Sequence, residues 1–388
     1  MFKKAFGKTG LDVSILGFGC MRLPITDNND PASIDYDLAT RMIRKAIDRG
    51  VNYVDTAYPY HSNQGRTAPG ASEPFVAHAL KDGYRERVSL ATKLPTWMVE
   101  SRKQMNEILD EQLKRLETSH IDFYLAHNVN VNVWDKMVGL GLLDFMEEAK
   151  KDGRIKYAGF SFHDHYELFE RVIKSYDWDM TQIQYNYLDV NYQAGQRGLK
   201  LAAELGVPVS IMEPLRGGFL VDHIPEELQK SLASVRPDWT MADWGLRWVM
   251  NQPGVGVVLS GMTAMSHVDD NIKIAETLVP LSERETEALS RVRDYFHARL
   301  KVDCTGCGYC MPCSSGVDIP KNFLYYNDYF LMDSPEIQQR SKYYYGAQVG
   351  ESERASNCVH CHECEEKCPQ GLAISDMMED VCNIFCSK

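Results

Sequence analysis

The sequence predicts an α/β protein: a (β/α)8 TIM barrel of residues 1–295, followed by a small, mostly α-helical domain of residues 296–388. Three observations predict it. Eight short apolar runs alternate with amphipathic stretches, composition changes sharply after residue 295, and ten of the eleven cysteines lie from Cys304 onward. A chain of 388 residues is also long enough for two domains.

The eight apolar runs indicate strands that are buried on both faces, as in a parallel sheet. The stretches between them have the apolar spacing of helices that cover such a sheet. A doubly wound open sheet is the alternative, but "GFGCM" after the first run lacks the G-x-G-x-x-G spacing of that fold. The leading "FGKTGLDVS" predicts a hairpin that plugs the barrel floor. The runs are residues 14–19, 51–57, 87–93, 121–127, 155–161, 180–186, 207–213 and 255–261.

Composition and charge exclude several classes of protein. A formal charge of −12 disfavours nucleic acid and anionic membrane as partners, because both would repel the chain. The N-terminus has no signal-peptide-like apolar run, and no stretch approaches the length of a membrane span. We therefore expect a cytoplasmic protein. The clustered cysteines indicate metal ligands and not a disulfide framework.

Polar residues stand where the predicted strands end, and in a barrel these ends meet at the rim that carries the active site. Any one of these residues could be a helix cap or turn former. Several titratable groups converging on one rim favour an active site instead. The residues are Asp55, Tyr60, Lys93, His127, Ser161, Gln182 and Glu213.

At these positions the chain resembles the aldo-keto reductase family, through "VDTAYPYH", "ATKLP" and "IDFYLAH" and, further along, "GFSFHDH", "TQIQYNYLD", "IMEPLRGG" and "VVLSGMT". The resemblance extends over residues 5–290. It implies hydride transfer between a nicotinamide and a carbonyl or alcohol, with Asp55, Tyr60, Lys93 and His127 as the catalytic set.

Physical chemistry supports that set independently. Carbonyl reduction needs a proton donor at the developing alkoxide. A free tyrosine has a pKa near 10, and an adjacent ammonium such as Lys93 should lower the pKa of Tyr60. Asp55 would keep Lys93 charged and oriented, and His127 would orient the carbonyl or assist proton transfer. Taken alone, each residue also has a purely structural explanation: Tyr60 could be an aromatic residue of a loop, and His127 a hydrogen-bonded histidine at a strand end.

The resemblance also implies a nicotinamide site. Ser161 and Gln182 would hold the carboxamide, with Met212 where many members have an aromatic residue and Phe162 where asparagine is common. The segment that reads the 2′-phosphate in NADPH-dependent members lacks lysine and arginine here, which disfavours NADP. The remaining expected contacts are Glu213, Leu215, Arg216, Ser260, Gly261, His267, Asp270 and Asn271.

A long polar loop, "HSNQGRTAPGASE" at residues 61–73, follows Tyr60. Glycine and proline interrupt regular structure there. Its position over the rim makes it a candidate substrate lid, and a featureless surface insertion is the alternative.

Two cysteine sets occupy the C-terminal part. The second set has the C-x2-C-x2-C-x3-C-P spacing of bacterial ferredoxins, while the first has its last interval one residue shorter and Ser314 in place of the proline. We predict two 4Fe–4S clusters, with one cluster or a zinc site as alternatives. Cys382 and Cys386 are expected to be small buried residues, and His360 and His362 loop residues. The expected ligands are Cys304, Cys307, Cys310 and Cys313, with Cys358, Cys361, Cys364 and Cys368.

The tail resembles a helical two-cluster ferredoxin-like domain. The resemblance implies ligand exchange: Cys368 would join the first three cysteines of the first set, and Cys313 the first three of the second. Together the two halves resemble an iron–sulfur-containing branch of the aldo-keto reductase family.

Three functions follow from this combination. The chain could be a nicotinamide-dependent reductase of an aldehyde, ketone or sugar-like carbonyl whose clusters are structural or redox-sensing. It could instead exchange electrons through its clusters with a flavin or a partner protein, because a cluster moves one electron and hydride transfer moves two. The third is a non-enzymatic carrier or scaffold, which the intact polar set opposes.

Overall fold

The computed structural model describes residues 1–222, 224–302, 304, 310–331, 334–368 and 371–386, apart from the side chain of Asn132. The chain divides into two compact units. The first consists of Met1–Val190, Ala194–Ile224 and Arg236–Ser282. The second consists of Asn191–Gln193, Pro225–Val235 and Glu283–Lys388. The limits predicted from composition, 1–295 and 296–388, stay a prediction.

The first unit begins with an antiparallel hairpin of β1 (Lys3–Ala5) and β2 (Asp12–Ser14). Phe6, which follows β1, has no exposed surface, and its ring centroid lies 5.4 Å from that of Phe123 and 6.1 Å from that of Tyr53. These residues share an apolar cluster with Val13 and Met180. Because Tyr53 and Met180 begin their strands, the hairpin closes the barrel at the N-terminal ends of the strands, as the sequence predicts.

Eight parallel strands close into a barrel, which confirms the predicted fold. Each strand pairs with its neighbours in chain order, and the last strand pairs with both the first barrel strand and the one before it. Every strand overlaps one of the eight predicted runs. The strands are β3 (Leu16–Gly19), β4 (Tyr53–Asp55), β5 (Ser89–Pro95), β6 (Ile121–Val129), β7 (Ile155–Phe162), β8 (Met180–Gln184), β9 (Val209–Met212) and β10 (Val255–Gly261).

The helices of the first unit are amphipathic, as α1 illustrates. Its N-cap Asp35 accepts a hydrogen bond from the backbone N–H of Leu38, and its buried side chains recur at intervals of three and four residues. The helices are α1 (Tyr36–Asp48), α2 (Ser72–Ala79), α3 (Arg102–Arg115), α4 (Val131–Gly139), α5 (Leu142–Lys151), α6 (Tyr166–Lys174), α7 (Gly195–Glu204), α8 (Phe219–Asp222), α10 (Met241–Met250) and α11 (Met265–Glu276). Helix α9 (Glu226–Ala233) belongs to the second unit.

The second unit is helical in its described residues, as predicted, and has an apolar core of its own. A buried amide organises this core: Asn322 Oδ1 accepts from Tyr345 OH at 2.7 Å and from the backbone N–H of Ala355 at 2.9 Å. Its other helices are α12 (Glu283–His297), α13 (Ile319–Phe330), α14 (Pro335–Gln348), α15 (Glu363–Glu366) and α16 (Ile374–Phe385). Within the described part of the chain, no helix has the length and apolarity needed to cross a bilayer.

Candidate active site and cysteine cavity

A buried lysine links three of the four predicted catalytic residues at the rim of the barrel. Lys93 Nζ lies 2.7 Å from Asp55 Oδ1, 2.8 Å from the carbonyl oxygen of Thr56 and 3.4 Å from Tyr60 OH. Lys93 is 1% exposed and Asp55 2% exposed. The tyrosine hydroxyl therefore stands beside an ammonium whose other hydrogen bonds go to a carboxylate and a carbonyl.

Strand register explains why these groups meet. Asp55 ends β4 opposite Ala91 of β5. Lys93 lies two residues further along β5 and so faces the same way as Ala91. Tyr60 follows on a turn whose Gly70 backbone N–H donates to Tyr58 O at 2.8 Å. A Cβ at position 70 would lie 1.9 Å from Tyr60 O, so only glycine allows this approach.

Burial and the neighbouring charges act in opposite directions on the pKa of each member of the buried triad Asp55, Tyr60 and Lys93. Lys93 lowers the pKa of Tyr60, as expected, but burial outweighs it and the net direction is upward. Burial lowers the pKa of Lys93, but Asp55 and Tyr60 outweigh it and the net direction is upward. Burial likewise raises the pKa of Asp55, and Lys93 opposes this in part.

His127 completes the predicted set on β6. Its ring centroid lies 6.2 Å from that of Tyr60, edge-on, and 5.1 Å from that of Trp97. Thr96 Oγ1 donates to the carbonyl oxygen of His127 at 2.6 Å. Burial, followed by the charge of Lys93, lowers the pKa of His127 well below its usual range. The imidazole is therefore neutral and able to donate a hydrogen bond.

The predicted carboxamide-binding residues lie on β7 and β8 inside the barrel. Ser161 is 1% exposed and its Oγ accepts from the backbone N–H of Asn128 at 3.2 Å. Gln182 is 2% exposed, and its side-chain hydrogen bond to Asp55 helps to oppose the rise in the pKa of that carboxyl. Gln182 Oε1 and Ser210 Oγ, on register-paired residues of β8 and β9, are buried without a hydrogen-bond partner among the described residues.

The loop after β9 carries the next predicted contacts. Met212 ends β9, and Glu213 and Arg216 both adopt positive φ. Arg216 Nε lies 3.2 Å from Asp189 Oδ2, so this predicted cofactor-contacting arginine has a carboxylate partner within its own unit. Leu215 packs against α10, since a Cβ at Gly245 would lie 2.5 Å from Leu215 Cδ2.

The last predicted segment runs from the end of β10 into α11. Asn271 Nδ2 donates to Ser260 Oγ at 2.9 Å, and both residues are buried. Gly261 ends the strand. His267 and Asp270 are exposed on α11, and His267 Nδ1 accepts from the backbone N–H of Thr263 at 3.3 Å.

Arg22, which was not predicted as a site residue, contacts both the loop after β9 and the end of β10. Arg22 Nη2 lies 3.8 Å from Glu213 Oε1 in the first segment. Arg22 also approaches two glycines so closely that an added Cβ would lie 3.0 Å from its Nη2 at Gly217 and 3.1 Å from its Cβ at Gly261. Ser210, Arg66 and His163 were likewise not predicted. For Arg66 a signal existed, because it is the one basic residue besides His61 in the predicted lid loop.

The second unit contains a cavity whose walls carry five of the predicted cluster ligands. They come from both cysteine sets: Cys310, Cys313, Cys358, Cys361 and Cys364. Among the described side chains, no three of Cys, His, Asp or Glu converge on a position for a single metal ion.

The remaining cysteines lie elsewhere. Cys304, Cys368 and Cys382 pack against the apolar core of the second unit, and Cys382 is half-buried, not fully buried as predicted. Cys386 follows the C-terminus of α16. Cys307 lies outside the described residues.

Comparison with known proteins agrees with both units. The model of the "Aldo/keto reductase family" matches residues 15–294, well over half of the chain. The chain belongs to the aldo/keto reductase family. A "4Fe-4S dicluster domain" model matches residues 303–373, so this family member carries a C-terminal iron–sulfur domain of the ferredoxin type.

Curated relatives of this oxidoreductase include uncharacterized oxidoreductase YqkF of Bacillus subtilis, which is 27% identical over 324 residues, 74% of this chain and 95% of that protein. Probable aldo-keto reductase 1 of Glycine max is 27% identical over 338 residues, 78% of this chain and 90% of its own length. Both names place the relatives among oxidoreductases.

Similar solved structures include the holo form of aldo-keto reductase AKR11C1 from Bacillus halodurans. It is 27% identical, with a TM-score of 0.60 over 75% of this chain and 96% of that one. An aldo-keto reductase from Klebsiella pneumoniae in complex with NADPH has a TM-score of 0.61 and is 23% identical, over 76% and 96% of the two chains. At 23% identity, the similarity to the Klebsiella pneumoniae structure concerns the fold alone.

Proposed function

We propose that this aldo/keto reductase reduces an aldehyde, ketone or sugar-like carbonyl, or oxidises the corresponding alcohol, with Tyr60 as the proton donor. The observation that carries the proposal is the position of Lys93 Nζ between Asp55 Oδ1 at 2.7 Å and Tyr60 OH at 3.4 Å. A bound reduced nicotinamide supplies the hydride to the carbonyl carbon.

The protein supplies the proton. Tyr60 OH gives its proton to the carbonyl oxygen as negative charge develops there, which leaves a tyrosinate. Lys93 stabilises that tyrosinate by charge at hydrogen-bond distance. Asp55 keeps Lys93 protonated, since burial alone would favour the neutral amine. Alcohol oxidation follows the same path in reverse, with the tyrosinate accepting the proton.

His127 orients the carbonyl in this proposal. Its neutral ring lies edge-on to Tyr60, and its Nδ1 is buried without a hydrogen-bond partner among the described residues. A neutral imidazole donates a hydrogen bond without adding a second cation beside Lys93. Tyr60 and His127 would therefore contact the same oxygen.

The residues at the rim fit a nicotinamide. Gln182 Oε1 and Ser210 Oγ have no hydrogen-bond partner in the part of the chain that the structure describes and could accept from a carboxamide N–H. Gly217 and Gly218 both adopt positive φ, and Arg22 lies beside Gly217, which provides a loop and a cation for a diphosphate. Ser161 would also contact the carboxamide, and Met212 and Leu215 the adjoining ring surface. NAD is the expected form, because the 260–271 segment contains no lysine or arginine.

The cavity fits a 4Fe–4S cluster held by Cys358, Cys361 and Cys364 with Cys313, because all four thiols line it. The second cluster would be held by Cys304, Cys307, Cys310 and Cys368. Of these, Cys310 also lines the cavity described above. The clusters would be structural or redox-sensing.

A second function has one observation in its favour. Cys361 is exposed and Val359, in the cavity wall, is 66% exposed, so this wall reaches the surface of the second unit. Exchange of single electrons with a partner protein, or with a flavin, would need such an edge. The cluster domain then takes part in turnover.

Turnover by the anaerobic, cluster-replete protein tests the first proposal. NADH and NADPH consumption is followed with a panel of aldehydes, ketones and sugars, and cofactor binding by calorimetry. Tyr60→Phe should lower kcat by about 100-fold or more, because it removes the proton donor. Tyr58→Phe, on the same turn, is the matched control and should retain activity. Full activity in Tyr60→Phe, or failure to bind either nucleotide, would refute the proposal.

The second proposal is tested by EPR and voltammetry on the same protein. Reduction of the clusters on addition of substrate or nucleotide would support electron exchange. Clusters that stay oxidised throughout turnover would exclude it.

A further inference from the structure

The loop of residues 61–73 places Arg66 at the rim, next to the candidate catalytic groups. Arg66 Cζ lies 4.1 Å from the centroid of the Trp97 ring, and Trp97 Nε1 donates to the carbonyl oxygen of Arg66 at 3.1 Å. The Trp97 ring in turn lies 5.1 Å from that of His127. One tryptophan thus fixes both the backbone and the guanidinium of Arg66 beside the catalytic histidine.

The charge of Arg66 is not neutralised by the part of the protein that the structure describes: no carboxylate there lies within 4.0 Å of its guanidinium, and no acceptor takes its N–H groups. Arg236 provides the contrast. It stacks on Trp239 at almost the same distance, 4.2 Å, but its Nη2 lies 3.1 Å from Asp238 Oδ2. Stacking on an indole therefore does not prevent an ion pair, and Arg66, an exposed residue without a carboxylate partner among the described residues, is open to solvent or a ligand.

Charges around Arg66 leave it as the uncompensated group of the site. Asp55 and Lys93 form an ion pair of zero net charge. His127 and His163 are neutral at neutral pH, since burial, with a contribution from Arg66, lowers the pKa of each, that of His163 to about 4. Arg66 is therefore a cation at the rim without a carboxylate partner among the described residues, on a chain whose total of −12 repels anions.

We propose that Arg66 is a specificity-determining residue that binds the carboxylate of an acidic carbonyl substrate, such as an oxo acid, while Tyr60 and His127 hold the carbonyl. The inference rests on the proposed carbonyl reduction. A guanidinium pairs with a planar carboxylate through two parallel N–H bonds, and the indole behind it limits its orientations. A single cation matches a monoanion, whereas a phosphate dianion calls for further donors.

Paired substrates test this proposal. 4-Carboxybenzaldehyde and its methyl ester present the same aldehyde with and without the anion. The wild-type protein should prefer the acid. Arg66→Gln should lower kcat/KM for the acid by about 10- to 100-fold more than for the ester, and Arg66→Lys by less, because lysine keeps the charge but loses the two-pronged geometry. Arg236→Gln is the matched control and should leave the acid-to-ester ratio unchanged.

Ligand binding without turnover separates this inference from the proposed reaction. Benzoate and benzamide binding to the intact holoprotein is compared by ligand-detected NMR in the wild type and in Arg66→Gln. Benzoate should bind the wild type more tightly than benzamide, and Arg66→Gln should remove the difference. If neither aldehyde is reduced but benzoate binding depends on Arg66, only the reaction is wrong. Two results would overturn the role of Arg66. One is an equal loss of acid and ester turnover in Arg66→Gln, and the other is equal binding of benzoate and benzamide to the wild type.

Discussion

Lys93 Nζ and Asp55 Oδ1 form an ion pair of 2.7 Å whose side chains are only 1% and 3% exposed. Two charges removed from water are tolerated only when each has its partner, because the desolvation cost of a lone buried ion is several kcal/mol. The pair therefore keeps an ammonium at 3.4 Å from Tyr60 OH where burial alone would deprotonate it. Four predictions follow, beginning with this pair.

Asp55→Asn should destabilise the protein by about 3–5 kcal/mol, because it leaves the buried Lys93 without its counter-ion. The pKa of Lys93 should fall in this variant, since burial then acts with less opposition. Denaturant unfolding followed by tryptophan fluorescence measures this, and all six tryptophans lie in the first unit. Asp48→Asn is the control: Asp48 pairs with Arg87 at 2.8 Å but is 52% exposed, so the change should cost under about 1 kcal/mol. Equal losses in the two variants would contradict the prediction.

His163 should make the barrel less stable at acid pH. Burial, followed by the charges of Arg66 and Lys93, lowers its pKa to about 4, against about 6.5 in an unfolded chain. The unfolded state therefore binds more protons than the folded state between these values, and stability falls as pH decreases from 7 to 5. The contribution of His163 over this interval is about 1–2 kcal/mol.

The same unfolding measurement at pH 7 and pH 5 tests this. His163→Gln should lose less stability on acidification than the wild type. His165→Gln should lose more, because the hydrogen bond to Asp164 raises the pKa of His165 and so stabilises the fold at low pH. The prediction is wrong if both variants shift in the same direction.

Arg22→Ala should weaken the binding of NADH by about 10-fold or more, through loss of a charged contact to the diphosphate. NADPH binding should weaken by a similar factor, since both nucleotides carry that group. Calorimetry on the holoprotein measures the dissociation constants. Arg171→Ala, which removes an arginine of similar exposure paired with Asp135, is the control. No change in nucleotide affinity would place the cofactor away from Arg22.

Cys313→Ser should remove the same cluster as Cys361→Ser. Iron content should fall from about eight to about four atoms per chain in each single variant. The double variant should lose no more iron than either single one, because both thiols line one cavity. Combining Cys304→Ser with Cys361→Ser should instead remove both clusters, and Cys382→Ser should remove none. If the double variant of Cys313→Ser and Cys361→Ser loses the iron of both clusters, Cys313 belongs to the other cluster.

The eight strands could be predicted because continuous apolar runs bounded by polar residues are a local signal. Their ends were less predictable: β5 runs on to Pro95 and β6 to Val129, beyond the predicted runs. The convergence of Asp55, Lys93, Tyr60 and His127 followed from the fold, since parallel strands in a barrel end at one rim.

Contacts that depend on loops could not be predicted in this way. Arg22 follows β3 by a short turn, yet it meets Glu213 and Gly217 nearly two hundred residues later. Arg66 lies in a loop with no periodic pattern, and its position depends on one hydrogen bond and one stacking contact with Trp97. Such pairings are set by packing and leave no spacing in the sequence.

The sequence by itself determined the alternation of strands and helices, the order of the rim residues and the spacing of the two cysteine sets, because each is a local pattern. Only the tertiary structure decided that Cys313 shares a cavity with Cys358 and Cys361, and that the net pKa of Tyr60 moves upward. The cavity depends on which distant segments pack together, and the pKa of Tyr60 depends on how far the packed barrel excludes water from its hydroxyl. Burial is a property of the packed barrel and of the packed helices, and no stretch of residues specifies it alone.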